Sequence, residues 1–183
     1  MEKKKDSGGA ARVLGQGRYL TLLDEGGWEY VTRPRISGIV VMVGITAEEK
    51  LVLVEQYRTA VHGRVIELPA GLVGDEEDRG EESLADAAGR ELTEETGYAA
   101  GELVRVGEGP VAVGMSDEVV TFFRATKLTR VGPGGGVENE QITVHEVAAR
   151  DLIAFLDARR AEGLAVDPKI FAGLFMAGID VPR

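Results

Sequence analysis

The chain has 183 residues and carries 31 Asp plus Glu against 21 Lys plus Arg, a formal charge of -10, which fits one compact domain with a short accessory segment. An apolar share of 44% beside 28% charged residues excludes disorder for the bulk of the chain, and the acidic balance disfavours nucleic acid and anionic membrane surfaces. No cysteine is present, which removes disulfides, thiolate metal sites and cysteine nucleophiles and leaves oxygen ligands, or His62 and His145, for any metal.

Along the chain, the first dozen residues are polar and Gly-rich and predict a frayed start without a secretory pattern. Arg18 to Asp24 and Trp28 to Arg33 predict two strands around a turn at Glu25, Gly26 and Gly27. Ile39 to Thr46 and Lys50 to Tyr57 predict a second strand pair, rich in Val, Ile and Leu, with a charged turn at Ala47 to Glu49. The longest apolar run, Ile39 to Ile45, is interrupted by Gly44 and far too short to span a bilayer, so a cytoplasmic protein is expected. Glu67, Leu68 and Pro69 form a short segment, and Gly74 to Glu82 an acidic loop.

Ser83 then opens a helix as its cap, with Asp86 three residues on as in a capping box, and Gly97 stands where a left-handed stop belongs. Leu84, Ala88 and Leu92, with Ala87 beside them, mark its apolar face. Strands are predicted at Glu102 to Val106, Val119 to Thr126 and Ile142 to Val147, interrupted by a flexible loop from Gly132 to Gly136. Helices from Ala149 to Glu162 and Pro168 to Ala177 close the chain, the second capped by Asp167. Strands before, between and after helices indicate a mixed α/β layered domain.

The most informative stretch is RELTEETGY, Arg90 to Tyr98. At about 100° per residue, Glu91, Glu94 and Glu95 stand at i, i+3 and i+4 and share one helix face. Such a face is ordinarily a solvated acidic surface. It is also a ready site for a hard divalent cation, with Arg90 placed to pair with Glu94 one turn on. His62 and His145 show no ligand spacing and read as ordinary packing residues, and the GPGGG loop lacks the residues of a phosphate loop and reads as a linker.

Glu82, Arg90, Glu91, Leu92, Glu94, Glu95, Gly97 and Tyr98 together resemble the Nudix hydrolase signature in order and spacing. The signature's first Gly falls on Glu76, while Gly71 of the ELPAG segment stands five residues earlier, which implies a five-residue insertion before the helix. Tyr98 occupies a position where Ile or Leu is commoner. The resemblance implies an α/β/α sandwich with a mixed sheet plus a small N-terminal antiparallel β segment, divided as residues 1–36 for dimerisation and substrate cover and 37–183 for the hydrolase domain. It implies Mg²⁺, or Mn²⁺ in its place, held by Glu91, Glu95, the carbonyl of Ala70 and, directly or through water, Glu94.

Three further stretches resemble the branch that hydrolyses ADP-ribose and nucleoside diphosphate sugars. In LVEQYR, Arg58 is the candidate for the diphosphate and Glu67 follows in ELPAG, although Arg58 reads equally well as a strand-end arginine paired with Glu67. In ENEQITVHEV, the resemblance implies Glu138 as catalytic base and Glu140 as a further metal ligand, with Arg90 and Glu94 completing the catalytic set. In WEYVTRP, Trp28 is the candidate to cover a nucleobase across a homodimer, and its alternative is an ordinary packing aromatic.

The segment VGMSDE adds Met115 and Glu118 as expected substrate contacts, but Val113 stands where ADP-ribose specialists carry Pro. The less constrained backbone implies that hexose conjugates are admitted as well as ADP-ribose. The expected activity is hydrolysis of the pyrophosphate bond to NMP and a sugar phosphate, with no nucleic-acid or membrane partner. The rival expectation is a silent metabolite-binding module of the same fold.

Overall fold

The computed structural model describes residues 10–74, 82–136 and 141–182. The N-terminal segment forms three strands, β1 (Arg12–Gln16), β2 (Thr21–Glu25) and β3 (Trp28–Thr32), in an antiparallel sheet of that order. β1 lies partly in the stretch expected to be frayed. It is held by pairing with β2 and by the Arg12–Asp24 ion pair at 2.8 Å, a partner that local composition does not reveal. This sheet has little core of its own: Val13, Tyr19 and Trp28 are all exposed. It meets the rest of the chain where the Val31 N–H donates to the Met115 carbonyl at 2.8 Å.

The remaining strands form one mixed sheet. β4 (Gly38–Ile45) and β5 (Lys50–Arg58) follow the expected positions, but they pair with each other only at Gly44–Val52 and Ile45–Leu51. Beyond that turn they diverge. β4 runs parallel to β9 (Val119–Arg130) and antiparallel to β7 (Ala70–Val73), while β5 takes β6 (Gly63–Glu67) on one side and β10 (Thr143–Ala148) on the other.

The expected short strand at Glu102 to Val106 is instead the centre of the long β8 (Tyr98–Pro110). A register slip between Arg105 and Gly107 lets it follow β9 to the end, so the flanking glycines bend the strand rather than end it. The last strand, β11 (Ala165–Val166), adds in parallel to β6.

The period-two alternation of β4 explains the layering. Val40 and Met42 point to one face of the sheet, where they pack with Val52, Phe123 and the helix α1 (Leu84–Thr96) through Ala87, Ala88 and Leu92. Val41 and Val43 point to the other face. There they pack with Leu51, Leu53 and Phe122 against α2 (Leu152–Ala161), through Leu152 and Leu156, and α3 (Lys169–Met176), through Ile170 and Leu174. Both faces of the central strands are therefore covered, as their unbroken apolar runs require, and the domain is an α/β/α sandwich. Residues 149–151 form a 3₁₀ turn ahead of α2. Among the described residues no helix is long and apolar enough to cross a membrane.

Candidate active site

Helix α1 begins as its sequence requires. The Ser83 hydroxyl oxygen accepts the Asp86 N–H at 3.1 Å, and the same hydroxyl donates to the Asp86 carboxylate at 2.6 Å. It ends at Gly97 with φ 74°, whose N–H donates to the Thr93 carbonyl. Between these caps the apolar stripe fixes the rotation of the helix on the sheet, and that rotation decides which glutamates face inward.

Arg90 is the hub of this face. Its Nε and Nη2 donate to the two carboxylate oxygens of Glu82 at 2.9 and 3.1 Å, and its Nη1 to Glu91 at 2.9 Å and Glu94 at 3.1 Å. Nη2 also reaches the Leu72 carbonyl at 3.3 Å. The fork to Glu82 foremost, then the Glu91 charge, hold the guanidinium charged well beyond its ordinary range against the cost of burial. The spacing of Glu82 and Arg90 is thus a structural clasp between the loop before the helix and the helix itself.

Glu91 and Glu95 line a cavity of about 390 Å³ whose walls also carry Gln56, Arg58, Glu67, Ala70, Gly71, Arg33, Glu118 and Lys169. Glu95 is only 5% exposed and accepts the Ala70 N–H at 3.1 Å. Glu94 is turned to Arg90 instead and is not among the lining residues. Among the described residues no three carboxylates or histidines converge into a closed metal cage. Two carboxylates that share a cavity with the Ala70 backbone form an open oxygen set, and this donor chemistry fits a hard cation that keeps several waters.

Gly71 is what lets Glu91 sit there. A Cβ at this position would fall 2.0 Å from the Glu91 carboxyl carbon, so the strand and the carboxylate touch only because residue 71 has no side chain. The sequence names Gly71 only as the counterpart of the signature's first Gly; its contact with Glu91 is seen in the structure. Residues 75–81, part of the loop in which the insertion is expected, lie outside the described residues. Gly71→Ala is expected to push Glu91 off its position and lower kcat/KM by about a hundredfold, the scale of an ångström-size misplacement. Steady-state kinetics beside a melting curve would check this, and a variant as active as the wild type would contradict it.

On another wall Arg58 forms a two-point ion pair with Glu67, Nε to Oε1 at 2.8 Å and Nη2 to Oε2 at 2.5 Å. The pair with Glu67 is the one that the second reading of Arg58 expects, and both residues also line the cavity. Glu67 foremost, with Glu95 and Asp167 adding, raises the pKa of Arg58 against the partial desolvation of a side chain that is still 45% exposed. Glu118 receives the Arg33 Nε at 2.6 Å, and a second cavity of about 330 Å³ shares Arg33, Ile39 and Glu118 with the first.

The other expected contacts lie apart. Trp28 is 61% exposed on the N-terminal sheet, and Met115 is 64% and Val113 77% exposed; none of the three is on the wall of either cavity. Glu138 and Glu140 lie outside the described residues.

The loop expected to be a flexible linker is tied down. The Gly135 N–H donates to the Glu95 carbonyl at 2.8 Å and the Gly136 N–H to the Glu94 carbonyl at 3.1 Å, which satisfies carbonyls that the last turn of a helix leaves without partners. Gly134, at φ 68°, passes so close that a Cβ would lie 2.4 Å from the Thr96 carbonyl carbon. The glycines therefore serve close packing on the end of the carboxylate helix. Tyr98 follows this helix with its ring in the apolar slot and its hydroxyl donating to Glu146 at 2.5 Å, so the departure at that position packs as an apolar residue would. His145 bonds Glu55 at 3.0 Å and meets the Phe155 ring in a tilted contact, centroids 5.2 Å apart, in keeping with a packing role.

Residues that sequence reasoning did not single out are Gln56, Arg33 and Lys169. Gln56 carries a faint signal as a polar side chain in an apolar strand. Lys169 carries none, because it reaches the cavity through the pairing of β11 with β6.

Residues 36–132 match the NUDIX domain family model. An ADP-ribose pyrophosphatase of Bacillus subtilis (strain 168) is 32% identical over 123 residues, 67% of this chain and 64% of that protein. A GDP-mannose pyrophosphatase of Enterobacter sp. (strain 638) is 35% identical over 121 residues, 62% and 60% of the two chains. A crystal structure described as an ADP compounds hydrolase superposes with a TM-score of 0.66 over 91% of this chain and 89% of that one, at 21% identity, and shares the fold. The matches to the curated relatives thus span about two thirds of their length or less. With its sandwich, its capped carboxylate helix and a family match over more than half its length, this chain belongs to the NUDIX family.

Proposed function

We propose that the chain is a divalent-cation-dependent pyrophosphohydrolase that splits ADP-ribose and nucleoside diphosphate hexoses into NMP and a sugar phosphate. The observation that carries this reading is the pair Glu91 and Glu95 facing a cavity whose other walls carry Arg58, Arg33 and Lys169. An anionic diphosphate with a hydroxylated body matches that arrangement of oxygen ligands and cations. The two pyrophosphatase relatives, one of ADP-ribose and one of GDP-mannose, support it independently.

Glu91, Glu95 and the Ala70 carbonyl are the residues that would hold Mg²⁺ or Mn²⁺, which when bound neutralises the diphosphate and acidifies a water. Arg58 uses two of its five N–H donors on Glu67 and has others to offer a phosphate oxygen. Water adds to one phosphorus, the bridging P–O bond breaks, and the proton passes to a base. Within this proposal Glu138 is that base, Glu140 a further ligand, and Arg90 and Glu94 hold the ligand helix in place. The intact carboxylates argue against a silent binding module. Phosphate released by a coupled phosphatase from a panel of nucleotide sugars, with and without Mg²⁺, tests the reading. Activity on ADP-ribose and at least one hexose conjugate is expected, and no activity on any of them would refute it.

The proposal includes a homodimer through the N-terminal sheet. Three strands without a core, with Val13, Tyr19 and Trp28 exposed, leave apolar surface and strand edges for a second copy. Light scattering should give twice the chain mass, and deletion of the residues before Arg35 should halve it. A full-length monomer that is active at nanomolar concentration would contradict the dimer.

A further inference from the structure

The last turn of α1 carries Glu95, and its carbonyls are among those that a helix end leaves without partners. The glycine run supplies them. Gly135 and Gly136 donate to the Glu95 and Glu94 carbonyls, and the Gly97 carbonyl accepts the Val131 and Gly132 N–H groups at 2.8 and 3.2 Å. Glu95 is thus held at two points, its carboxylate by the Ala70 N–H and its carbonyl by the Gly135 N–H.

The loop is in turn held by side chains from three strands. Arg130, the last residue of β9, donates from Nη2 to the Pro133 carbonyl at 3.0 Å. Its Cζ lies 5.3 Å from the centre of the Tyr98 ring, and its Nη1 is 3.9 Å from Oε1 of Glu146 on β10. Tyr98 closes the triangle, since its hydroxyl donates to that same Glu146 oxygen at 2.5 Å. The bond to Glu146 foremost, then burial, raises the Tyr98 pKa, so the phenol stays a donor. Packing explains the buried ring. It does not explain a hydroxyl aimed at the carboxylate that also pairs with Arg130, and an Ile or Leu at 98 would offer neither the hydroxyl nor the ring face.

We propose that Arg130, seated by Tyr98 and Glu146, is a positioning residue for Glu95: by holding the Gly132–Gly136 loop on the last turn of α1, it keeps the Glu95 carboxylate placed to take a divalent cation. This rests on the cation-dependent reading of the site. Arg130 is not on the cavity wall, so it acts through the backbone of the loop. Glu91 lies one turn back, where Arg90 bonds it, so the effect falls on one of the two carboxylates and weakens cation binding without abolishing it. Groups bonded directly to metal ligands change affinity by about 10- to 100-fold when removed, and a residue one step further out should change it by about three- to tenfold.

The test compares the full-length protein with Arg130→Ala, Arg130→Lys and Tyr98→Phe. Binding of Mn²⁺, followed by the electron paramagnetic resonance of the free ion without substrate, should weaken by about three- to tenfold in Arg130→Ala. Arg130→Lys keeps the charge and a donor for Pro133 and should recover most of the loss. Tyr98→Phe keeps the ring but drops the bond to Glu146, and should fall between. With ADP-ribose, the Mg²⁺ needed for half-maximal rate should rise in the same order, while kcat and KM at saturating Mg²⁺ stay within about threefold of wild type. Unchanged Mn²⁺ affinity in Arg130→Ala would overturn the proposal. So would an equal loss in Arg130→Lys, or a fall in kcat that tracks the melting temperature and that excess Mg²⁺ does not restore. A wild type that binds no Mn²⁺ would remove both the cation site and this role. Mn²⁺ binding in the expected order without cleavage of any nucleotide sugar would refute the pyrophosphohydrolase reading and leave the role of Arg130 standing.

Discussion

Replacing Glu91 or Glu95 by Gln is expected to lower kcat by roughly 10²- to 10⁴-fold while the protein stays folded, because each change removes a charge that a divalent cation would use, an effect of several kcal/mol. The fold should tolerate both. Glu91 faces the cavity beside Gly71, and an amide at 95 keeps an oxygen to accept the Ala70 N–H. The two variants should also need more Mg²⁺ for half-maximal rate. A companion Glu138→Gln should lower kcat more than KM and leave the Mg²⁺ requirement unchanged, the pattern of a base rather than a ligand. Circular dichroism and rates across a Mg²⁺ series would check all three. Wild-type-like rates in both Glu91→Gln and Glu95→Gln would remove the basis for the cation site.

The second large effect is expected on stability. Arg90 has a side chain only 12% exposed and is bonded to Glu82, Glu91 and Glu94, whose side chains are 11%, 15% and 23% exposed. Arg90→Met keeps much of the volume but leaves three half-buried carboxylates without their shared cation. Breaking a buried ion pair from one side costs about 3 kcal/mol or more, here a fall of roughly 6–12 °C in Tm for a domain of this size. Activity should fall with it, since Glu91 loses one of its anchors. Removing Glu82 as well should recover part of the stability by relieving repulsion, and a double-mutant cycle would measure that coupling. An Arg90→Met protein with an unchanged melting temperature would show that the clasp contributes little.

The carboxylate helix was legible because its determinants are local. Ser83, Gly97, the apolar stripe and the glutamate spacing all act within a few turns, and the structure realises each of them. What was not legible depends on partners distant along the chain. Alternating Val and Ile residues mark β4 and β5 as strands, yet nothing in them reveals that β4 spends most of its length beside β9 rather than β5. β1 and β11 are too short to stand out, and exist because β2 and β6 offer them edges.

The candidate site divides along the same line. Glu91, Glu95, Arg58 and Glu67 sit in recognisable stretches and meet in the cavity. Lys169 and Gln56 join them only once the sheet is assembled. The run of glycines from Gly132 to Gly136 misleads in the opposite direction. Glycine reads as freedom in a sequence, whereas here it permits the close contact that finishes α1.

The most direct measurement is product analysis by ion-exchange chromatography after incubation of ADP-ribose with the purified protein, in Mg²⁺ and again in excess EDTA. Stoichiometric AMP and ribose 5-phosphate in Mg²⁺, with none in EDTA and recovery on readdition of the metal, is the predicted result. Intact ADP-ribose in both, or the same products at the same rate in EDTA, would contradict a cation-dependent pyrophosphohydrolase built on Glu91 and Glu95.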